Sequence, residues 1–230
     1  MMGQKMNRRF DANAGIAIGP ILFIIAILAI LAAAIAAGSG SFTSGTSQES
    51  DKTKASALIQ IGENLKVGMD RITMEGGMSP TGTAGPTVVD INAANTNLSN
   101  ALFSPSGGGV TAPSVGMAND PQTDIWYYPI TPVAGFGTSA SEVLAVLRVS
   151  EGVCAEINNR STGYDVAPTT GADLGDFTSK ADAGTSAPTL TAWPTVASDG
   201  VNLVGVATGC VYNTDTASKG YYYYQVLAIQ

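Results

Sequence analysis

The sequence predicts an α+β fold: a long N-terminal helix, apolar in its first half and amphipathic in its second, packed on a C-terminal antiparallel β-sheet with one disulfide. Residues 16–37 carry no charge, which is typical of a helix buried in lipid or among other helices. Residues 51–75 repeat apolar side chains at helical spacing. The C-terminal part contains short aromatic and β-branched runs separated by Gly, Asn and Asp, which is typical of strands and turns.

Residues 1–15 form a leader ahead of the apolar run, residues 16–37. At ~1.5 Å rise per residue, the run makes a helix of about 33 Å, enough for the ~30 Å hydrocarbon core of a bilayer. After the run, no Lys or Arg occurs until Lys52. By the positive-inside rule, we expect the N-terminus in the cytoplasm and the rest of the chain exported. The basic residues of the leader are Lys5, Arg8 and Arg9.

A cleaved secretory signal is the alternative for the N-terminal segment. Ala34, Ile35 and Ala36 match a small-x-small cleavage site behind a basic region. The 22 residues of the apolar run exceed the roughly 7–15 residues of a usual signal-peptide core, which favours a retained helix.

Residues 38–50 are rich in Gly, Ser and Thr and are predicted to form a flexible joint, because each interior Gly costs a helix about 1 kcal/mol. Residues 51–77 are predicted to form the amphipathic helix, which Gly76, Gly77 and Pro80 end. Its apolar stripe recurs every three or four residues at Leu58, Ile61, Leu65, Met69 and Ile72.

Residues 78–230 are predicted to form a globular, β-rich head. Its first part, to residue 124, is mostly loop with one short helix at 91–103. A strand at 125–130 contains Pro129, which lacks an N–H and confines the strand to an edge or a short length. Residues 142–150 form a better strand.

Ser150 is predicted to cap a short helix, residues 151–160, with Val153, Cys154 and Ile157 on its inner face. A loop over 161–200 follows. Strands at 201–212 and 221–229 then close the fold as a hairpin through an Asn-, Asp- and Gly-containing connection.

The head is acidic. Of the chain's 18 Asp and Glu and 11 Lys and Arg, all but one acid and three bases lie after residue 37, which leaves a net charge of −9 there. Dispersed bases on an acidic surface argue against a specific nucleic-acid site. The chain has no His, so neither a Ser-His-Asp triad nor Cys-His catalysis is available.

We therefore predict no enzyme, no catalytic residue and no cofactor. The carboxylates that would serve a glycosidase are interpreted as solvated surface acids, because nothing distinguishes their sequence context. No metal site is predicted, although a weak calcium site stays open. The acids in question are Asp120, Asp124, Glu142, Glu151, Glu156, Asp173 and Asp176.

Cys154 and Cys210 are the only cysteines. An even count in an exported domain indicates one disulfide, which would pin the short helix to the sheet. Two unrelated buried thiols are the alternative.

Four consecutive tyrosines, Tyr221 to Tyr224, point alternately to the two faces of their strand. We expect one pair to pack on the amphipathic helix and the other to cover the outer face of the sheet. Stacking on a sugar or electron transfer is the alternative. Trp126, Tyr127 and Tyr128 are expected to pair with them across the sheet.

Small residues recur along the apolar run. Ala29, Ala33 and Ala37 are spaced by four, with Ala26 nearby, and this register allows close approach of helices. Self-association through this face and simple dilution of an apolar span are both consistent with it.

This order of leader, Gly, apolar helix, amphipathic helix, strands and C-terminal Cys pair resembles the type IV pilin family, including the pseudopilins. The resemblance implies that a prepilin peptidase cuts after Gly15, making Ile16 the mature N-terminus. It also implies that Cys154 and Cys210 bound a C-terminal disulfide region. Gly19 and Pro20 are expected to open the helix locally, because Pro removes a backbone donor.

One position departs from the family. The fifth mature residue is usually Glu, and here it is Pro20. The resemblance implies a structural subunit that waits in the inner membrane, with its N-terminus cytoplasmic, and then joins an extracellular filament or periplasmic pseudopilus. Its partners would be copies of itself or related pilins. The alternative is a bitopic inner-membrane protein whose exported domain binds a partner without polymerising.

Overall fold

The computed structural model shows two helices and one four-stranded sheet among the residues that it describes. Those residues are 18–80, 88–131, 133, 135–136, 142–168, 203–216 and 218–229, and the side chains of 18–21 and 34–46 are not described. The elements are α1 (Ile18–Gly76), β1 (Ile130–Thr131), β2 (Glu142–Val149), α2 (Glu151–Thr162), β3 (Thr208–Asn213) and β4 (Gly220–Ala228). The α+β class and the antiparallel sheet of four strands are confirmed.

The chain divides into two units, Met1–Gln48 and Glu49–Gln230, and α1 contributes residues to both. The second unit includes the amphipathic part of α1 as well as the predicted head at 78–230, and we call this whole unit the head. α1 is continuous through residues 38–50, the predicted flexible joint. Gly and Ser lower helix propensity, but they keep their backbone N–H groups and cause no clash with the preceding turn, so the hydrogen-bond ladder continues. Whether this part of α1 bends as a joint stays a prediction.

The membrane-spanning prediction gains no support from the helices. Within the described part of the chain, none is both long enough and apolar enough to cross a bilayer.

The amphipathic part of α1 packs on the sheet through the predicted stripe. Leu58, Leu65, Met69 and Ile72 are buried, and Ile61 is half-buried. α1 ends at Gly76, one residue before the predicted end, and Gly77 has a φ of 62°. This left-handed conformation is one that Gly adopts without the steric cost of a Cβ.

The strands lie in the order β1, β2, β4, β3, and all neighbours are antiparallel. β1 lies at one edge, as Pro129 predicted, but it has only two residues. The remainder of the predicted strand makes a single bridge, from Tyr127 to Val146. β3 begins at Thr208 rather than at residue 201. A turn precedes it, in which Val206 N–H donates to Leu203 O at 3.1 Å.

Both faces of the sheet are buried. One face packs on α1 and α2 through β2 residues such as Leu147 and through Tyr223. The opposite face holds Tyr222 and Tyr224 under a layer of connecting segments that includes Val133 and Leu203. The predicted division of the tyrosines between the two faces is confirmed, with Tyr221 and Tyr223 on the helix side and Tyr222 and Tyr224 on the other. The second face is not an outer surface, because connecting segments form a third layer over it.

The short helix predicted at 91–103 is absent, and the described residues of this region form turns. Asp90 Oδ1 accepts from Asn92 N–H at 2.8 Å, and Asn92 Oδ1 accepts from Ala94 N–H at 2.9 Å. Such local side-chain acceptors compete with helical hydrogen bonds. Residues 169–202, which hold most of the second predicted loop, lie outside the described residues.

α2 forms where it was predicted. Ser150 is its N-cap, and Val153 N–H donates to Ser150 Oγ at 3.4 Å. The helix runs two residues past the predicted end and stops before Gly163, whose φ is 82°. Its buried residues are Val153, Cys154, Ile157 and Asn158.

Candidate functional site

A run of exposed apolar side chains occurs in α1 at residues 22–33, which we call the exposed apolar segment. All of its side chains are exposed and none carries a charge. On monomeric proteins, large exposed apolar patches of this kind mark sites of contact with protein or membrane. Its bulky members, 41–69% exposed, are Leu22, Phe23, Ile24, Ile25, Ile27, Leu28, Ile30 and Leu31.

The predicted small-residue face lies partly in this segment. Ala26, Ala29 and Ala33 are exposed, and their spacing of three and four residues places them on one side of the helix. Ala37 is helical, but its side chain is not described. The backbone at these positions is therefore accessible to the close approach of another helix.

The helix opening predicted at Gly19 and Pro20 falls at the limit of the described residues. Both residues are helical, and the described helix begins at Ile18. The turn before Pro20, whose carbonyl groups an opening would release, includes residues that the structure does not describe, so the opening stays a prediction. The predicted processing site, Gly15 and Ile16, lies outside the described residues, and cleavage stays a prediction.

The two cysteines form the predicted disulfide. Cys154 on α2 and Cys210 on β3 are bonded, with 5.3 Å between their Cα atoms and 56 residues between them in sequence. Both are fully buried beneath α1, next to Leu58 and Tyr223. The bond ties α2 to the sheet edge, as the sequence predicted.

A second connection between α2 and β3 was not predicted. Asn158 Nδ2 donates to Cys210 O at 3.0 Å, and Cys210 N–H donates to Asn158 Oδ1 at 2.8 Å. Because β3 is an edge strand, this amide replaces the neighbouring strand at Cys210 and satisfies both of its backbone groups. The signal in the sequence was position: Asn158 follows Cys154 by four residues and so shares its helix face.

The tyrosines of β4 are structural. Tyr222 Oη donates to Ser218 O at 2.8 Å, and Tyr224 Oη donates to Val206 O at 3.0 Å. Burial raises the pKa of Tyr222, Tyr223 and Tyr224, so their hydroxyls stay protonated at neutral pH. These three rings lie in the core, where no ligand can stack on them.

The predicted cross-sheet aromatic contacts occur in part. The Trp126 and Tyr223 rings meet edge to face, with centroids 6.1 Å apart. Tyr127 packs beside Tyr222 and Tyr224 on the opposite face. Tyr128 contacts Phe103 instead of a β4 tyrosine, with centroids 6.0 Å apart.

The candidate carboxylates that the structure describes do not form a cluster of metal-ligating groups. Asp120 and Asp124 stabilise one turn, in which Thr123 Oγ1 donates to Asp120 Oδ2 at 2.8 Å, and Asp124 Oδ1 lies 3.7 Å from Arg148 Nη1. Hydrogen bonds from Thr123 lower the pKa of Asp120. Among the described residues no cluster of three metal-ligating side chains occurs. Asp173 and Asp176 lie outside them.

Glu142 departs from the interpretation as a surface acid. It is fully buried, and its Oε2 accepts from Val133 N–H at 2.7 Å. The carboxylate thereby holds the segment after β1 against β2.

A groove of about 480 Å³ lies along α1 within the head. It is lined by apolar and amide side chains and by the loop 109–113, and no acid, base or thiol faces it. Such a lining offers contact surface, and its polar side chains are the Asn64 amide and the Thr111 hydroxyl. Its α1 residues are Ile61, Asn64, Leu65 and Val67.

A scan against protein-family models, a search of curated proteins and a search of solved structures found no match to the chain. The pilin resemblance thus stands on the sequence pattern alone.

Proposed function

We propose that this protein is a structural subunit of a type IV pilus-like filament or pseudopilus, and that it assembles through the apolar part of α1. The observation that carries the proposal is the exposed apolar segment. The proposal includes a stage in the inner membrane, processing by a prepilin peptidase between Gly15 and Ile16, and assembly with copies of the same chain or related subunits.

Burial of the bulky side chains of the exposed apolar segment would supply the association energy. Full burial of one such side chain contributes about 1.5–3 kcal/mol, so eight of them together represent on the order of 10 kcal/mol of association energy. Because consecutive residues from Leu22 to Ile25 are all exposed, the apolar surface surrounds the helix instead of forming one stripe. A helix that is apolar on all sides is buried in lipid or at the centre of several helices.

The leader decides which of these two environments is stable. While Lys5, Arg8 and Arg9 remain attached, moving the helix out of the membrane requires charges to pass through hydrocarbon. Removal of the leader eliminates this cost. The accessible faces of Ala26, Ala29 and Ala33 then support close packing of parallel copies.

The single most direct test is N-terminal sequencing of the protein isolated from its own cells. A mature start at Ile16 is expected. An intact Met1 would overturn the filament proposal and favour the rival, a bitopic inner-membrane protein that binds a partner through its head.

A second test separates assembly from folding. Leu28→Lys places a charge in the exposed apolar segment, and we expect it to abolish filaments in sheared cell-surface material viewed by electron microscopy. Val67→Lys is the matched control, because Val67 is 65% exposed on the same helix but lies in the head. Loss of filaments in both variants, or in neither, contradicts assembly through the apolar segment.

A further inference from the structure

The sequence holds two Asn-x-Ser/Thr triplets, Asn97-Leu98-Ser99 and Asn159-Arg160-Ser161. This triplet is the acceptor signal for N-linked glycans, and it works only on accessible segments of exported proteins. We propose that Asn97 carries an N-linked glycan and that Asn159 does not. The inference rests on the exported head of the proposed function, but it does not depend on polymerisation.

The first triplet is open to a modifying enzyme. Asn97, Leu98 and Ser99 are all exposed, and Leu98 is 47% exposed despite its apolar side chain. They lie in the turn region 92–100 and outside any helix or strand. A turn follows at once, in which Ala101 N–H donates to Leu98 O at 3.2 Å, so the triplet projects at a chain reversal.

Neighbouring amides hold this turn in place. Asn95 Nδ2 donates to Asp90 Oδ2 at 2.6 Å, and Asn100 Nδ2 donates to Val88 O at 2.9 Å. Asn97 makes no side-chain hydrogen bond to any residue that the structure describes. Its amide is therefore presented from a supported turn without a bond that transfer would have to break.

The second triplet is not accessible to a modifying enzyme. Its three residues belong to α2, whose helical backbone cannot extend into an enzyme cleft without losing the helix. Ser161 Oγ donates to Ile157 O at 3.0 Å, and Arg160 Nη2 donates to the backbone of Lys52 on α1 at 3.3 Å. The hydroxyl that an acceptor site must supply is thus engaged.

The reaction requires a glycan carried on a polyprenyl phosphate or pyrophosphate and a membrane-bound transferase. Asn97 Nδ2 attacks the anomeric carbon of the first sugar and forms the N–C bond as the C–O bond to the carrier breaks. The lipid phosphate leaves with the bonding electron pair, and a base of the transferase takes the amide proton. No oxidant or reductant is needed.

The test is mass spectrometry of the full chain isolated from its own cells, intact and after proteolysis. We expect a sugar mass on the peptide containing Asn97 and none on the peptide containing Asn159. Asn97→Gln and Ser99→Ala should each remove it completely, while Ser99→Thr, which preserves the acceptor hydroxyl, should retain it. Asn159→Gln is the matched control and should leave the mass shift unchanged.

An unmodified Asn97 in exported protein overturns the inference, and so does a glycan that survives Ser99→Ala. A glycan at Asn159 overturns the structural argument for selecting between the two triplets. Failure of this inference is distinguishable from failure of the filament proposal. Filaments built from unmodified subunits contradict only the glycan, whereas glycosylated protein that never polymerises contradicts only the filament.

Discussion

Two parts of α1 have opposite relations to their surroundings. In the exposed apolar segment, residues 22–33, every side chain is exposed, including Phe23 at 67%. In the amphipathic part, Leu58 and Met69 are fully buried against the sheet. Both have the backbone of one continuous helix.

A segment can therefore be helical whether or not the rest of the chain buries its side chains. The amphipathic part carries one apolar stripe, which the chain itself covers with β2 and β4. The exposed apolar segment has apolar groups on all sides, and no described residue covers them. Under the proposed function, lipid or other chains bury this segment.

The disulfide is the strongest single device that holds the head, and its removal should have the largest effect on stability. Replacing both Cys154 and Cys210 by Ser opens a loop of 56 residues in sequence separation. We expect a loss of about 4 kcal/mol in the free energy of unfolding, since the unfolded chain regains loop entropy. Urea unfolding of the full chain in detergent, followed by tryptophan fluorescence, measures it.

Because the chain has only these two cysteines, a reductant on the unaltered protein provides the control and should reproduce the same loss. A loss below about 1 kcal/mol would show that α2 and β3 are held chiefly by other contacts.

Two leucines, one from each part of α1, test whether the chain itself buries that part. Leu58→Ala removes a fully buried side chain and should cost the head about 3 kcal/mol. Leu28→Ala removes one that is 59% exposed and should change head stability by less than about 0.5 kcal/mol. The same unfolding assay serves both. Equal losses would mean that residue 28 is buried by the chain itself, against the distinction drawn between the two parts.

The Asn158 amide should matter more than its neighbour on the same helix. Asn158→Leu leaves the N–H and C=O of Cys210 unpaired in the core, and we expect a loss of about 2 kcal/mol. Asn159→Ala is the control and should cost no more than about 0.5 kcal/mol. If the two variants unfold at the same urea concentration, the edge of β3 does not depend on this amide.

The smallest change in stability is expected at Gly62, where α1 packs closely on the sheet. A Cβ at Gly62 would overlap Tyr223 Oη, so Gly62→Ala should destabilise the head by about 1 kcal/mol although it favours the helix. In a Tyr223→Phe background, which lacks this oxygen, the same change should cost less, although Gln225 Cβ and Cγ, 3.0 Å from the added carbon, still crowd it. A double-mutant cycle from thermal unfolding measures the coupling, and additive effects would exclude contact between the two residues.

Several elements were predictable because their signals are local. The amphipathic stripe from Leu58 to Ile72, the cap at Ser150 and the edge position forced by Pro129 all follow from spacing or from single-residue chemistry. The helix predicted at 91–103 failed because Asp90 and Asn92 accept backbone hydrogen bonds locally.

Other features depend on partners distant in sequence. Glu142 was expected on the surface because it is an acid, yet it is buried beside Val133. Tyr222 and Tyr224 were expected on an outer face, but segments around Leu203 and Val206 cover them. No local pattern specifies which loops return over the second face of the sheet.

Side-chain chemistry and periodicity, which are local properties of the chain, identified the groups that need burial. These are an uncharged run, one helical stripe, alternating strand residues and two cysteines. The segments that bury these groups are visible only in the folded structure. It placed α1 on one face of the sheet and loops on the other, joined α2 to β3 through Asn158, and left Asn97 exposed while closing Asn159 within a helix. The physical reason is that burial is a relation between segments far apart in sequence, and their meeting depends on how the whole head packs.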